Sequence, residues 1–248
     1  MMYHLSIKKF MKIESVSVTL QLRRSALSCR QKGVITLTSQ HKAYYDKRGQ
    51  ILVKALQRRH FEAYYCEDKA AALAKALELI PKGASVGWGG VMSAHQIGLV
   101  EALNEGDYRA IDRDRCATQE EKLQAAKDSL FADVFLTGAN ALSMDGEMVN
   151  IDGTGNRVAA IVYGPKTVLV IAGMNKVADT LEDAITRART VAAPLNQQRF
   201  LLDNPCTVTG TCADCKSESC ICNQILITRL CRPAGRIKFI LVGEDLGL

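Results

Sequence analysis

No run of eighteen apolar residues occurs in this 248-residue chain and its hydropathy averages near zero, so no transmembrane helix is expected. The N-terminal segment lacks an apolar core ending in a small-residue cleavage site, which argues against a secretory signal and for a cytoplasmic protein. There is no internal repeat and no low-complexity linker, and the length suits one substantial core. Basic charge is also missing from most of the chain. The net +6 is carried by residues 1–40, where Lys8, Lys9, Lys12, Arg23, Arg24, Arg30 and Lys32 face Glu14 alone, so everything after residue 40 is formally neutral. A basic stripe for nucleic acid is therefore not supported. Neither nucleic acid nor membrane is an expected partner.

What is present is an alternation of strands and helices. Residues 46–61 place Ile51, Leu52, Leu56 and Phe61 on one stripe among lysines and arginines, an amphipathic helix, and residues 62–66 read as a strand. Residues 68–80 form an Ala/Leu-rich helix capped by Asp68 and stopped by Pro81-Lys82-Gly83. The strand at 85–88 enters Gly89-Gly90 and a helix over 93–103. This order brings backbone N–H groups against an anion, although Gly87-Trp88-Gly89-Gly90 has neither dinucleotide-fingerprint spacing nor a P-loop ending. His95 is a candidate acid or base, but with no partner identifiable in sequence a solvated or structural histidine is the stronger reading. A strand at 108–111 and a solvated loop at 112–115 precede Thr118-Gln119-Glu120-Glu121, a capping box opening a helix that runs to residue 130. Helices are also expected at 156–163 and at 180–191, ending before Pro194, and buried strands at 167–172 and 236–242. Strand–helix–strand rhythm predicts a mostly parallel sheet with its site at the carboxyl edge.

The densest stretch of candidate chemistry is 132–160. Residues 134–137 read as a buried strand delivering a polar loop. Asp145-Gly146 signals a hairpin, a strand follows at 147–151, and Asp152-Gly153-Thr154-Gly155 leads into the helix at 156. Amide and carboxylate side chains before a helix N-terminus suit a small anion, the alternative being a satisfied turn cluster. The candidate ligand-binding set is Asn140, Asp145, Asn150, Asp152, Asn156 and Arg157 with Gly89 and Gly90. Lys176, just past the strand at 167–172, is added as the cation for an anionic substrate, with a surface lysine as the alternative, and Glu244 could reach the same rim.

Five cysteines crowd the tail in PCTVTGTCADCKSESCIC: Cys206, Cys212, Cys215, Cys220 and Cys222, spaced C-x5-C-x2-C-x4-C-x-C. Four thiolates satisfy a structural zinc or hold an iron–sulfur cluster, although the ferredoxin C-x2-C-x2-C pattern is absent. Disulfides are disfavoured without an export signal, and a flexible reduced loop is the plain alternative. Cys29, Cys66, Cys116 and Cys231 are scattered and read as packing or surface residues.

The phrase GANALSMDGEMVNIDGTGNRVAAIVYGPKTVLVIAGMNK resembles the signature of the LUD-domain (lactate utilisation) family, in particular single-domain members with a cysteine-rich tail, and the likeness runs from about residue 41 to the C-terminus. At longer range the D-G-x-x-V-N phrase before a helix is similar to the ribose-phosphate isomerase and CoA-transferase superfold. The resemblance implies a three-layer α/β domain of CoA-transferase-like or ribose-phosphate isomerase-like class over 41–248. Residues 1–40 are then expected to be an upstream extension from a misassigned start, disordered or poorly packed. The family usually shows a small hydroxyl residue directly after the paired glycines; here Val91 stands there and Ser93 comes later, leaving that contact in doubt. The resemblance further implies lactate or related organic-acid utilisation in an oxidoreductase system, with a small anionic metabolite as ligand and iron–sulfur redox proteins as partners. It assigns Cys206, Cys212, Cys215 and Cys222 as ligands, with Cys220 spare, and places iron–sulfur ahead of zinc. Two alternatives stand: a sugar-phosphate isomerase or CoA-transferase-like enzyme using Asp145, Asp152 or Glu244 as base, and a non-catalytic binding or scaffold subunit. Association into a homo-oligomer is a further open alternative.

Overall fold

The computed structural model describes residues 38–200 and 202–248. The expected extension over 1–40 therefore falls almost wholly outside the described residues. Its last two positions belong to the first helix, α1 (Ser39–Arg58), which starts earlier than its apolar stripe suggests.

The principal sheet is parallel at every pairing. Its strands are β1 (Glu62–Cys66), β2 (Ser85–Trp88), β3 (Arg109–Ile111), β4 (Val134–Thr137), β7 (Thr167–Gly173) and β10 (Ile237–Val242), in the order β1-β10-β7-β4-β2-β3. Such a sheet is covered on both faces, which is why its central strands are continuous apolar runs. On one face Val86, Trp88, Leu136, Leu169, Ile171 and Ile240 pack with α2 (Lys69–Leu79), α3 (Met92–Gln96) and α4 (Leu99–Glu105). On the other, Gly49 of α1 lies against the Tyr65 ring, and Gly87 receives Ser129 from the end of α5 (Gln119–Asp128). Helix, sheet, helix makes three layers, as expected.

Local signals act as read at several points. The Asp68 side chain accepts from Ala71 N at 2.8 Å, and Thr118 and Glu121 close the full capping box. Two helix boundaries depart from expectation. The helix predicted over 93–103 is two helices, broken at Gly98, whose φ of +78° is left-handed and free of Cβ strain only for glycine. The helix predicted to stop before Pro194 instead passes from α7 (Leu181–Arg187) through a π turn (Ala188–Ala192) into α8 (Ala193–Gln197). Proline is tolerated because it falls in the first turn of α8, after the wide turn has already displaced the regular hydrogen-bond ladder.

A second sheet was not legible in sequence. It joins β8 (Val177–Ala178), β5 (Ala141–Ser143), β6 (Met148–Asp152) and β9 (Gln224–Thr228) in the order β8-β5-β6-β9, antiparallel except for β5 with β8. The Asp145-Gly146 hairpin connects β5 to β6, with Gly146 at φ +94°. Helix α6 (Asn156–Tyr163) then returns the chain to the main sheet. One guanidinium holds its C-terminal carbonyls and the turn that follows: Arg236 donates to Ala160 O at 2.9 Å and Ile161 O at 2.6 Å in the helix and to Pro165 O at 3.0 Å beyond it. A cation there also opposes the helix dipole, fixing the helix that carries Arg157.

Candidate functional site

Four neighbouring strands end at the same edge, and their outgoing loops converge. β2 delivers Gly89-Gly90 and Ser93, β4 delivers Gly138 and Asn140, β7 delivers a tight turn (Met174–Lys176), and β10 delivers Glu244 to Gly247. At the convergence stands Lys176, only 5% exposed. Its Nζ donates to Ser93 Oγ at 3.4 Å, and among the described residues no carboxylate reaches it as an ion-pair partner. Ser93 itself is 1% exposed. The hydroxyl displaced from the paired glycines therefore still arrives at the cation, because the first turn of α3 carries it inward.

The surroundings are cationic. Arg187 donates to Asn175 O at 3.0 Å and to Asn140 O at 2.5 Å. Arg157 donates to Asn140 Oδ1 at 3.1 Å and to the Ile151 carbonyl, with Asp152 Oδ2 3.8 Å from its Nε. Burial, then Arg187 and Arg157, pull the Lys176 ammonium down from 10.5 to about 7. Burial likewise lowers Arg157, opposed by Asp152, and lowers Arg187, opposed by Asp245. Buried charge normally comes paired, so one buried and two half-buried cations sharing so few carboxylates is an arrangement that favours an incoming anion.

The predicted residues divide. Lys176, Arg157, Asn140, Asn150 and Asp152 are brought together, but the asparagines and Asp152 act largely in shaping the turn. Asn140 Oδ1 also accepts from Ile151 N at 2.9 Å, Asn150 Nδ2 donates to Gly138 O at 3.0 Å, and Asp152 Oδ2 accepts from Val158 N at 3.1 Å. Asn150 Oδ1 is buried without a partner. Gly89 faces Arg157, its position for a Cβ lying 3.9 Å from that residue's Cβ, and Gly90 faces Arg199 in the same way at 3.6 Å. Asp145, placed in the site by sequence proximity, is instead ion-paired with Arg59, which also takes Glu147. Glu244 turns to Lys69, with an ion pair at 3.1 Å, and Asn156 only accepts from Thr154 Oγ1 at 2.8 Å. His95 is partly exposed, 3.5 Å from Glu101, and so takes the solvated role. Arg187 was missed: within an exposed-looking helix its type reads as a surface cation. Asp245, accepting from Tyr45 Oη at 2.8 Å, was missed as well.

All five tail cysteines line one cavity of about 70 Å³, with Ile151, Gln197 and Asn204 among its walls. Asn204 is buried and organises the loop, accepting from Ser217 Oγ and Ser219 Oγ and donating to Ser219 O at 3.0 Å. Gln197 is 1% exposed and its side-chain nitrogen has no partner. The thiols are free. Burial pushes Cys222 up to about 12 and raises Cys206, whereas the Ser217 hydroxyl lowers Cys215. Among the described residues no three donors converge at metal-binding distance, so the thiols share a cavity wall without forming a closed tetrahedron. By number and type the donors are those a thiolate-held ion or cluster requires, and binding one would displace the thiol protons. Elsewhere Cys231 is structural, accepting from Ile237 N at 3.3 Å, and Cys66 is buried in the core. Cys29 lies outside the described residues.

The family model described as the LUD domain matches residues 49–242. A DUF162 family protein from Deinococcus radiodurans is similar in structure at 12% identity, covering 81% of this chain and 97% of that one with a TM-score of 0.45. Ribose 5-phosphate isomerase A from Methanocaldococcus jannaschii gives 18% identity, 46% and 55% coverage and a TM-score of 0.31; the enzyme from Neisseria gonorrhoeae gives 19%, 46%, 54% and 0.30. No curated protein sequence matches the chain.

Proposed function

Because this chain belongs to the LUD-domain family, we propose that it serves lactate or related organic-acid utilisation by binding a small anionic metabolite at the carboxyl edge of its parallel sheet, as a component of an oxidoreductase system. The observation that carries the reading is Lys176, an amine buried to 5% exposure with a serine hydroxyl as partner and two guanidinium groups nearby. A site of that kind is costly to the fold unless a ligand carboxylate or phosphate completes it. Lys176 and Arg157 are the direct contacts, Arg187 supports the field, and Asn150 Oδ1 can accept from a ligand hydroxyl.

The cysteine cavity supports the redox half of the proposal. Cys206, Cys212, Cys215 and Cys222 would hold an iron–sulfur cluster, which supplies one-electron transfer to or from iron–sulfur partner proteins; zinc in the same place would be structural. Ile151 links the two regions, lining the cavity while its carbonyl accepts from Arg157. The carboxylates an isomerase would need as base are each engaged by a cation: Asp145 by Arg59, Asp152 by Arg157 and Glu244 by Lys69. Among the described residues no helix is long and apolar enough to cross a membrane.

Anaerobic purification with metal and acid-labile sulfide analysis tests the cavity, and thermal-shift titration with lactate tests the edge site. The expected result is bound metal lost in Cys212→Ser/Cys215→Ser, and ligand stabilisation lost in Lys176→Ala. Metal-free protein, unresponsive to any small carboxylate or phosphorylated metabolite, would contradict the reading.

A further inference from the structure

Among the described residues Lys176 is the only lysine that is buried, and its setting suits a nucleophile as well as a charge. Three features of the geometry converge. The amine has a hydroxyl 3.4 Å away, Ser93 Oγ, able to pass a proton. Two glycines adjoin it: a Cβ at Gly138 would lie 3.7 Å from both Nζ and Oγ, and one at Gly247 would come within 2.7 Å of Nζ. A side chain at Gly138 would only touch the amine, whereas one at Gly247 would crowd it. Finally, Arg187 and Arg157 are near enough to act on the charge of the amine, and each has N–H groups beyond those already donated to the chain.

We propose that Lys176 is a covalent catalytic residue whose amine condenses with the carbonyl carbon of a small 2-oxo acid, the acid's carboxylate being held by Arg157 in the field of Arg187. This rests on the anion site proposed above. In the first step the amine lone pair forms the C–N bond, and the carbonyl oxygen takes up the proton the nitrogen releases, relayed through Ser93 Oγ, to give a carbinolamine. In the second the nitrogen lone pair forms the C=N bond as the C–O bond breaks, and the oxygen leaves as water with the proton the nitrogen still carried, leaving the imine. Nothing is oxidised or reduced, so no further reactant is needed. A lysine becomes a nucleophile at neutral pH when it is desolvated or set beside other cations, and both conditions hold here. The lowering of its proton affinity to about 7 agrees with the geometry.

The test is reductive trapping. Full-length protein is incubated with pyruvate and cyanoborohydride, then examined by intact mass and peptide mapping. The expected product is one adduct per chain on Lys176, heavier by the mass of the acid less one oxygen. It is absent from Lys176→Met and forms roughly tenfold more slowly in Ser93→Ala. Calorimetric titration with lactate, which has the carboxylate but no carbonyl, separates the two proposals. Lactate binding without trapping, or trapping spread over surface lysines equally in wild type and Lys176→Met, overturns the imine and leaves the anion site standing. Neither binding nor trapping overturns both.

Discussion

Replacing Lys176 by methionine is expected to make the unliganded protein more stable, not less, at neutral pH and below. The buried amine titrates near 7 in the folded chain against 10.5 when unfolded. Between those values the unfolded chain holds a proton that the folded one has released, so wild-type stability rises with pH across that window. Below about 7 both states are protonated and the full penalty applies; above about 10.5 it is gone. A shift of this size sets a ceiling of about 5 kcal/mol on the penalty. Methionine keeps the length of the stem without the charge. Urea denaturation of both proteins across this range should show the variant ahead by a few kcal/mol at low pH and the gap closing as pH rises. A variant less stable at every pH would mean that Lys176 serves the fold. The expected sign is that of a residue kept for function at a cost to stability.

Gly173→Ala is expected to do the opposite, losing about 3 kcal/mol or more and disordering the site with it. A Cβ on this residue would sit 2.5 Å from Asn175 Oδ1, 2.6 Å from the Glu244 carbonyl oxygen and closer still to Leu246 N. These groups form one hydrogen-bonded clasp: Met174 N donates to Glu244 O at 3.2 Å and Leu246 N to Asn175 Oδ1 at 3.1 Å. The backbone at Gly173 is ordinary extended chain, φ −72° and ψ 154°, so the cost is crowding and not dihedral strain. Urea denaturation checks the loss, and a change under about 1 kcal/mol would show that the clasp yields. Because the clasp lies directly before Lys176, ligand affinity should fall in parallel.

The sequence made the main sheet legible because its strands are apolar runs set between capped helices, and Asp68, Thr118 and Asp145-Gly146 carry local chemistry that works wherever the chain goes. The second sheet was harder. β8 has two residues, and β9 follows the cysteine loop with Ile225 and Ile227 half exposed, so neither offers an alternation to count. In the site, Lys176, Arg157 and Asn150 were legible from their place after strands or in turns. Ser93 and Arg187 were not, because their nearness to Lys176 is created by strand order: Ser93 is 83 residues away in sequence and arrives from the neighbour but one in the sheet. Asp145 failed for the converse reason. Seven residues from Asp152, it is carried to the hairpin tip, where Arg59 of the loop after α1 collects it.

The most direct measurement is calorimetric titration of anaerobically purified protein with lactate at about pH 6 and about pH 9, on either side of the Lys176 titration near 7. If the ammonium completes the anion site, affinity should fall by more than about tenfold from the lower pH to the higher, and Lys176→Met should bind weakly at both. Equal affinity at the two pH values, unchanged in Lys176→Met, would contradict the assignment of this lysine as the anchor of the ligand.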